Sequence, residues 1–391
     1  MYDVVVLGAG PTGCYAARQL ARMGYEVLVL EEHPQIGEPV HCTGIIGLEA
    51  YERFELDPTC VEAYLTGVRF LSPAGQSFRV PCKEARAVVV DRSRFDQMLG
   101  QEALAAGSSF LLGTRAERIT VKDDAAVVSA HCLREPISLR SSLVMVATGA
   151  DDAITREAGL AEPSGRPMFG AQLLAHTGDL DEVEVHLGPS IAPGGFAWAV
   201  PANGHGCRVG LVCQSYPRPL LNRFARRLEQ RGAISRNGSR IRCRAVPSGP
   251  RLPSYADRIL VIGDAAGQVK ATTCGGIYYG LLGAEAAVAA ADRALRLGDA
   301  GSGHLAQYED EWLRRIGSEQ RTGRLLRRVL TSLSNRDMEA LFWFARRTRL
   351  PHLLSRLPFD WHTSGLLTIL WRDLFGAATR GSRAAVPTSR N

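Results

Sequence analysis

The stretch Tyr2-Asp-Val-Val-Val-Leu-Gly-Ala-Gly-Pro-Thr-Gly13 decides the fold of this chain. Its apolar half predicts a buried strand, and its glycines form a Gly-x-Gly-x-x-Gly turn ahead of a helical pattern at residues 14–23. A second apolar strand at residues 26–30 ends at Glu31, about 20 residues beyond the turn. Strand, glycine turn, helix, strand and acidic residue in this order predict a Rossmann-like unit that binds a dinucleotide.

The residues of this turn have distinct predicted roles. The first glycine permits the tight turn, the second lets the backbone approach a pyrophosphate, and the third lets the helix pack closely on the strand. The helix N-terminus offers free N–H groups to the phosphates, and Glu31 can accept hydrogen bonds from a ribose hydroxyl. The predicted dinucleotide contacts are Gly8, Gly10, Pro11, Thr12, Gly13, Glu31 and Glu32.

The composition is that of a globular protein, with 46% hydrophobic and 22% charged residues among 391. The first strand begins at the second residue, so we expect no signal peptide, and no apolar run of about 18 residues predicts a spanning helix. The nine cysteines include no Cys-x-x-Cys pair, which favours reduced thiols over disulfides or a zinc site. We therefore expect a cytoplasmic protein without a metal.

Positive charge is concentrated near the C-terminus. The net charge is +6, and residues 312–391 carry +10 while the rest of the chain carries −4. This segment also contains many aromatic residues, which suits peripheral contact with an anionic membrane. A helical subdomain with these aromatic residues in its core is the equal alternative. Nucleic-acid binding is less expected, because no nucleic-acid-binding motif is visible.

A second strand-and-loop motif, Ile259-Leu-Val-Ile-Gly-Asp264-Ala-Ala-Gly267, decides between the possible dinucleotides. Asp264 follows a predicted strand end, where it can accept hydrogen bonds from ribityl hydroxyls while the next helix N-terminus faces a phosphate. An aspartate that merely caps this helix is the alternative. FAD needs a second anchoring site for its flavin half, whereas a simple NAD-binding domain does not. The two motifs together therefore predict FAD.

The order of these patterns predicts an α/β fold: a Rossmann-like FAD-binding domain, an inserted antiparallel β-sheet substrate domain and a C-terminal helical region. The discontinuous FAD-binding domain is expected at residues 1–65, 86–165 and 255–300. The substrate domain is expected at residues 66–85 and 166–254, and the helical basic region at residues 301–391.

The chain resembles the geranylgeranyl reductase family of flavoproteins, within the group that shares the para-hydroxybenzoate hydroxylase fold. The segments that carry the resemblance are residues 8–13, 37–44, 193–201 and 263–277. The most specific are the Gly-Glu-Pro-Val-His-Cys-Thr-Gly loop around Cys42 and the Lys-x-Thr-Thr run that begins at Lys270.

The resemblance implies an enzyme that saturates double bonds of an isoprenoid small molecule or lipid. A hydride from N5 of reduced FAD would reach one alkene carbon, and a proton would reach the other. Cys42 is implied to lie beside the flavin, as a proton donor or as a small residue that shapes the pocket, with His41 as a lesser candidate for the proton relay. Further FAD contacts are expected at Arg92, Gly263, Asp264, Gly275, Gly276 and Ile277.

Two departures from the family pattern concern the substrate. Phe196 and Trp198 are two residues apart on one predicted strand, so both point to one face and could form a wall of an apolar pocket. The family has Tyr at Phe196 and Phe at Val200, which argues for an altered substrate shape. It has Gly at Cys274, where glycine would permit a positive φ or a close approach to the flavin. The expected substrate contacts are Phe196, Trp198, Lys270 and Cys274.

Two alternatives remain open at this point. One is a flavin-dependent monooxygenase or halogenase on the same fold, since residues 196–201 resemble the Trp-x-Trp-x-Ile-Pro motif of halogenases without its first Trp. The other is a lipid-binding flavoprotein that has lost turnover. No second glycine motif follows a strand, so the electron donor is either NADPH that binds transiently or a protein such as ferredoxin.

Overall fold

The computed structural model describes residues 1–365 except 203, 205, 237, 362 and 364. Within these residues the chain forms three β-sheets with helices packed on them, and none of the described helices is long and apolar enough to cross a membrane. The expected fold class is confirmed. Trp371 and Phe375, which the sequence assigns to the basic tail, lie outside the described residues.

The central sheet is parallel at its core because the strand–helix–strand pattern supplies its strands. β1 (Tyr2–Leu7) pairs in parallel with β2 (Val27–Glu31) and with β11 (Glu135–Val146). Val4 and Val6 face the helices, while Val5 faces two antiparallel strands on the other side, and all three are fully buried. The remaining strands are β8 (Ser109–Leu112), β9 (Thr114–Val121), β10 (Ala126–Cys132), β18 (Tyr255–Ala256) and β19 (Ile259–Val261).

Three helices cover one face of this sheet: α1 (Pro11–Arg22), α3 (Arg92–Ala105) and α6 (Ile277–Leu297). The alanine-rich sequence of α6 lets it pack closely against α1. The other described helices are α2 (Leu48–Phe54), α4 (Ala153–Glu157), α5 (Pro217–Gln230), α7 (Ser302–Ser332), α8 (Asn335–Arg347) and α9 (Leu350–Leu354), with 3₁₀ turns at Pro58–Cys60 and Gly263–Ala266.

The second sheet is antiparallel except for one pair. β5 (Gly67–Leu71) runs parallel to β13 (Val183–Leu187). Parallel neighbours need a long connection, and here the chain forms a large part of the central sheet between these two strands. The other strands are β6 (Ser77–Pro81), β12 (Met168–Thr177), β14 (Phe196–Ala202), β15 (Gly206–Cys213), β16 (Ile234–Arg236) and β17 (Arg242–Val246). All eight fall inside the segments assigned to the substrate domain, whose boundaries stay a prediction.

A small third sheet, which the sequence patterns do not predict, connects the two large ones. It consists of β3 (Ile45–Gly47), β4 (Val61–Leu65) and β7 (Ala87–Val90). Val89 packs in one buried cluster with Val183 and Val200 of the second sheet. The third sheet thereby holds the residue 37–44 loop between the central and second sheets.

The C-terminal helices cover the end of the second sheet. α8 begins with a capping box in which Ser334 and Asp337 satisfy each other's backbone N–H groups. Phe342 is fully buried, and its ring lies 5.1 Å from that of Phe78. Trp343 and Phe344, however, are exposed. Phe342 is therefore a core residue, as the helical-subdomain alternative expects, whereas Trp343 and Phe344 are not, and membrane contact stays a prediction.

Candidate active site

A cavity of about 960 Å³ runs from the glycine turn after β1 to the C-terminal helices. Its size is at the upper end of the range of about 300–1,000 Å³ for ligand sites. The predicted site residues that line it are Gly8, Gly10, Pro11, Thr12, Glu31, Glu32, His41, Cys42, Arg92, Phe196, Trp198, Gly263, Asp264, Lys270, Cys274, Gly275, Gly276 and Ile277. Gly13 instead packs against the backbone of Gly8, where a side chain would collide.

The glycine turn forms a cradle at one end of the cavity. Gly8 has a φ of +105°, and a Cβ there would lie 2.5 Å from the carbonyl oxygen of Ala147. Gly10 has no neighbouring atom within 4 Å on its open side, and as the N-cap of α1 it provides no side-chain hydrogen bond to the helix. The first N–H groups of α1 are thus free to meet a phosphate, which fits a dinucleotide.

Glu31 lies at the end of β2 beside this cradle. Its Oε2 accepts a hydrogen bond from the N–H of Ala9 at 2.9 Å, and its Oε1 accepts one from the N–H of His33 at 3.0 Å. These contacts fix the carboxylate on the cavity wall while leaving lone pairs for ribose hydroxyls. Glu32 is more exposed and pairs with Arg115 at 3.3 Å.

A second helix N-terminus faces the same cavity. Gly276 is the N-cap of α6, and it too offers no side-chain cap. A Cβ at Gly276 would collide with the carboxylate of Asp264, so that carboxylate lies against the start of α6. Burial raises the pKa of Asp264, and the charges of Arg244 and Arg92 oppose this shift. Two uncapped helix N-termini and the half-buried Asp264 carboxylate around one cavity fit the two halves of FAD.

The loop between Asp264 and the start of α6 contains Cys274, which has a φ of +60°. This is the left-handed conformation that glycine adopts without cost, so Cys274 takes up the positive φ expected for a glycine at this position. Arg327 on α7 donates to the Sγ of Cys274 at 3.5 Å and to the carbonyl of Ala271 at 2.8 Å. Its other nitrogen donates to the carbonyl of Gly194 at 3.0 Å. Burial raises the pKa of the Cys274 thiol, which keeps it protonated at neutral pH.

Lys270 has a partner that the sequence did not indicate. Its ammonium is buried, forms an ion pair with Asp360 and lies 4.6 Å from the ring centre of Phe359. The sequence suggested a contact with the flavin or with a substrate phosphate. The ion pair with Asp360 ties the loop before α6 to the segment that follows α9, while Lys270 also lines the cavity and its predicted ligand contact stays a prediction.

Cys42 and His41 lie between the two halves of the cavity. Cys42 is exposed, and its Sγ accepts a hydrogen bond from the N–H of Gly44 at 3.4 Å. The Nδ1 of His41 is buried and has no hydrogen-bond partner among the described residues. Burial, then the charges of Arg244 and Arg242, lower the pKa of His41 to about 4. His41 is therefore neutral at pH 7.

Arg92 is oriented by its own helix. Its Nη2 donates to Asp96 at 2.8 Å and its Nε at 3.0 Å, one turn further along α3. Burial opposes the charged form, but Asp96 and Cys42 raise the pKa of Arg92 overall. The guanidinium is thus held beside Cys42 at the start of α3.

The other half of the cavity is apolar. Phe196 and Trp198 lie side by side on β14, with ring centres 5.5 Å apart, and Trp198 packs over Gly210 of the neighbouring strand. The Nε1 of Trp198 is buried without a partner among the described residues. Other walls come from Phe70, Phe78, Val183, Val185, Leu326, Leu330, Leu341, Phe342, Leu350, Leu354 and Leu357.

Sequence reasoning missed three polar residues of the site. Gln172 receives a hydrogen bond from Thr43 at 2.6 Å, Arg244 lines the cavity near His41, and Arg327 holds the Cys274 loop. Thr43 lies inside a segment that carried the resemblance, but Arg244 and Arg327 stand in stretches rich in arginine. Nothing in the sequence distinguishes them from their neighbours.

The fold and the cavity define a dinucleotide-binding protein with a second, apolar ligand pocket. Residues 6–50 match the family described as NAD(P)-binding Rossmann-like domain. The chain is 30% identical over 358 residues to digeranylgeranylglycerophospholipid reductase of Methanocaldococcus jannaschii, across 87% of this chain and 90% of the relative. The chain belongs to the family of these reductases, and the family prediction made from the sequence is confirmed.

Solved structures agree on the fold. A geranylgeranyl bacteriochlorophyll reductase-like protein from Thermoplasma acidophilum superposes with a TM-score of 0.85 at 21% identity, covering 96% of this chain and 98% of the other. A flavin-dependent brominase superposes with a TM-score of 0.73 at 16% identity, covering 97% of this chain and all of the other. Identities this low show the shared fold alone.

Proposed function

We propose that the protein is an FAD-dependent reductase that saturates carbon–carbon double bonds in the isoprenoid chains of a lipid. The observation that carries the proposal is the cavity itself. It joins two uncapped helix N-termini at one end to a long apolar compartment at the other. The relatives named for digeranylgeranylglycerophospholipid support a substrate with geranylgeranyl chains.

The residues present can hold FAD. The N-terminus of α1 would bind the pyrophosphate, Glu31 the adenosine ribose, and Asp264 with the N-terminus of α6 the flavin half. When bound and reduced, FAD supplies the hydride for this reaction. An isolated alkene has no polar group to bind, so orientation must come from the shape of the pocket, with Phe196 and Trp198 as one wall.

Cys42 is the proposed source of the proton. It lies in the loop between the cradle and the second sheet, exposed to the cavity and close to the Arg92 guanidinium. His41 directly precedes Cys42 in the chain and is neutral, so it can pass a proton only through a tautomer change or a water. Apolar walls around the alkene exclude water and oxygen, which protects a reduced cofactor.

The proposed electron donor is external. Within the described residues, glycine-containing turns follow the parallel strands β1 and β19, and both turns are assigned to FAD. NADPH would therefore bind only transiently, or a small redox protein would deliver electrons. Because lipids with geranylgeranyl chains reside in membranes, the proposed enzyme works in peripheral contact with a membrane.

An anaerobic single-turnover experiment tests the function. Protein loaded with FAD is reduced with dithionite and mixed with a lipid that carries geranylgeranyl chains, and flavin absorbance and lipid mass are followed together. Reoxidation in step with a gain of two hydrogens per double bond is expected. A flavin that stays reduced until oxygen is admitted would contradict the proposal and favour the oxygenase alternative.

A further inference from the structure

Helix α8 separates the apolar end of the cavity from solvent. On its inward side Leu341, Phe342 and Ala345 line the cavity, and Phe342 and Ala345 are fully buried. On its outward side Trp343 and Phe344 are 53% and 54% exposed. The thickness of one helix, about 10 Å, therefore separates the cavity from an exposed aromatic surface.

The exposure of these two residues is unusual for this protein. Large hydrophobic residues on a protein surface are usually scattered singly. In the part of the chain that the structure describes, Trp343 and Phe344 are the one pair of consecutive large hydrophobic residues that are both exposed. Close by in sequence, Leu325 and Val329 on one face of α7 are 63% and 52% exposed.

The charges around this surface are positive. Residues 335–361 contain five arginines, all exposed, and none forms an ion pair with a carboxylate among the described residues. The three acidic residues of this range already have other partners. Asp337 caps α8, Glu339 accepts hydrogen bonds from the β5–β6 turn, and Asp360 pairs with Lys270. The arginines are Arg336, Arg346, Arg347, Arg349 and Arg356.

Arginine and aromatic side chains also touch each other here. The guanidinium of Arg347 lies 4.2 Å from the ring centre of Trp343. Tryptophan favours the headgroup region of a bilayer, and arginine pairs with lipid phosphates, so the two together suit an anionic lipid surface. A water-soluble protein partner would not explain why the apolar end of the cavity lies directly behind this helix.

We propose that the outer face of α8, formed by Trp343, Phe344, Arg346 and Arg347, docks on an anionic bilayer. The lipid substrate then passes from the bilayer to the apolar end of the cavity beside α8. The second step rests on the proposed function, whereas the docking step does not.

Two double variants test the docking surface in the full-length protein. Trp343→Ser/Phe344→Ser removes the aromatic pair, and Arg346→Gln/Arg347→Gln removes two charges. The matched controls are Tyr64→Ser/Leu104→Ser, both 60% exposed elsewhere, and Arg226→Gln/Arg227→Gln, an exposed pair on α5. Binding is measured by co-sedimentation with vesicles of phosphatidylcholine and with vesicles of equal parts phosphatidylcholine and phosphatidylglycerol.

The wild type and both controls are expected to bind the anionic vesicles and to bind phosphatidylcholine weakly. The arginine variant should lose about 30-fold in partitioning, or about 2 kcal/mol at about 1 kcal/mol for each charge near an anionic surface. The aromatic variant should lose about tenfold or more. Unchanged binding by both variants would overturn the proposal. So would unchanged vesicle binding together with loss of a dimer in sedimentation velocity, because α8 would then join two copies.

An activity readout separates this proposal from the proposed function. With substrate dispersed in detergent, the variants should reduce the lipid at the wild-type rate, and only reduction of vesicle-embedded lipid should slow. Equal slowing in detergent would mean damage to the cavity and would contradict a surface role. Absence of lipid reduction by the wild type in both media would overturn the proposed function, while the vesicle measurement would still decide the docking surface.

Discussion

The guanidinium of Arg327 on α7 lies 3.5 Å from the sulfur of Cys274 and also holds the carbonyls of Ala271 and Gly194. One side chain thus joins the loop that precedes α6 to the turn that precedes β14. These two segments form the proposed flavin side and the proposed substrate side of the candidate site. Their separation is therefore set by a residue that belongs to neither.

Replacement of Arg327 by Gln is expected to lower the free energy of unfolding by about 2 kcal/mol, because hydrogen bonds from a charged, partly buried donor are lost. The measurement is a urea titration followed by circular dichroism. Arg328→Gln is the matched control, since Arg328 is the exposed neighbour on the same helix, and it should change stability by less than about 0.5 kcal/mol. Equal effects of the two substitutions would contradict the bridging role.

Cys274 gives a prediction about backbone strain. A non-glycine residue at φ +60° costs about 1–2 kcal/mol, and glycine recovers this while it adds about 0.5–1 kcal/mol of unfolded-state entropy. Cys274→Gly should therefore be more stable than Cys274→Ala by about 0.5–1 kcal/mol. Both variants lose the sulfur, so the difference in stability between them reports the cost of the positive φ less the entropy term of glycine. An alanine variant as stable as the glycine variant would show that the loop relaxes.

The sequence predicted what is encoded locally. The β1–α1–β2 unit follows from a strand, a glycine turn and a helix that are adjacent in the chain. The glycines of this turn that line the cavity could therefore be identified from the pattern. Arg327 and Cys274 are 53 residues apart, and Lys270 and Asp360 are 90 apart. Such pairs arise from the packing of α7 and the C-terminal segment on the flavin-side loop, which no local pattern encodes. For the same reason the sequence placed Lys270 near a ligand and missed its buried partner.

The depressed pKa of His41 predicts a pH dependence of stability. The pKa is about 4 in the folded protein against 6.5 for a free side chain, so between these values the unfolded chain binds more protons. Stability from this group is fully present above pH 6.5 and is lost as the pH falls toward 4. After allowance for solvent screening at a half-buried site, the loss is on the order of 1–2 kcal/mol.

His41→Gln should flatten this part of the curve, as measured by denaturant titrations between pH 7 and pH 4.5. His304→Gln, at an exposed position on α7, should leave the curve unchanged. A His41 variant with the full acid sensitivity of the wild type would show that His41 is not the group responsible.

Cys42→Ala tests the proposed proton source. The variant should keep FAD bound but reduce the alkene about a hundredfold more slowly, because general acid catalysis contributes roughly 10²–10⁴-fold. The measurement is flavin reoxidation by the lipid in a single anaerobic turnover. Cys132→Ala on β10 is a control outside the cavity lining. A wild-type rate for Cys42→Ala would remove Cys42 from the chemistry and leave it a packing residue.

The buried ion pair of Lys270 and Asp360 separates a structural role from a role in binding. Asp360→Asn should cost about 3–5 kcal/mol, because it leaves the Lys270 ammonium buried and unpaired. Lys270→Met/Asp360→Leu should recover most of this stability, since apolar side chains of similar size need no partner. The measurements are thermal unfolding and lipid reduction for the same three proteins. If the double variant recovers stability and activity together, the role of Lys270 is structural: it holds the C-terminal segment in place. Recovered stability without activity would show that the ammonium also contacts the flavin or a substrate phosphate, as the sequence suggested.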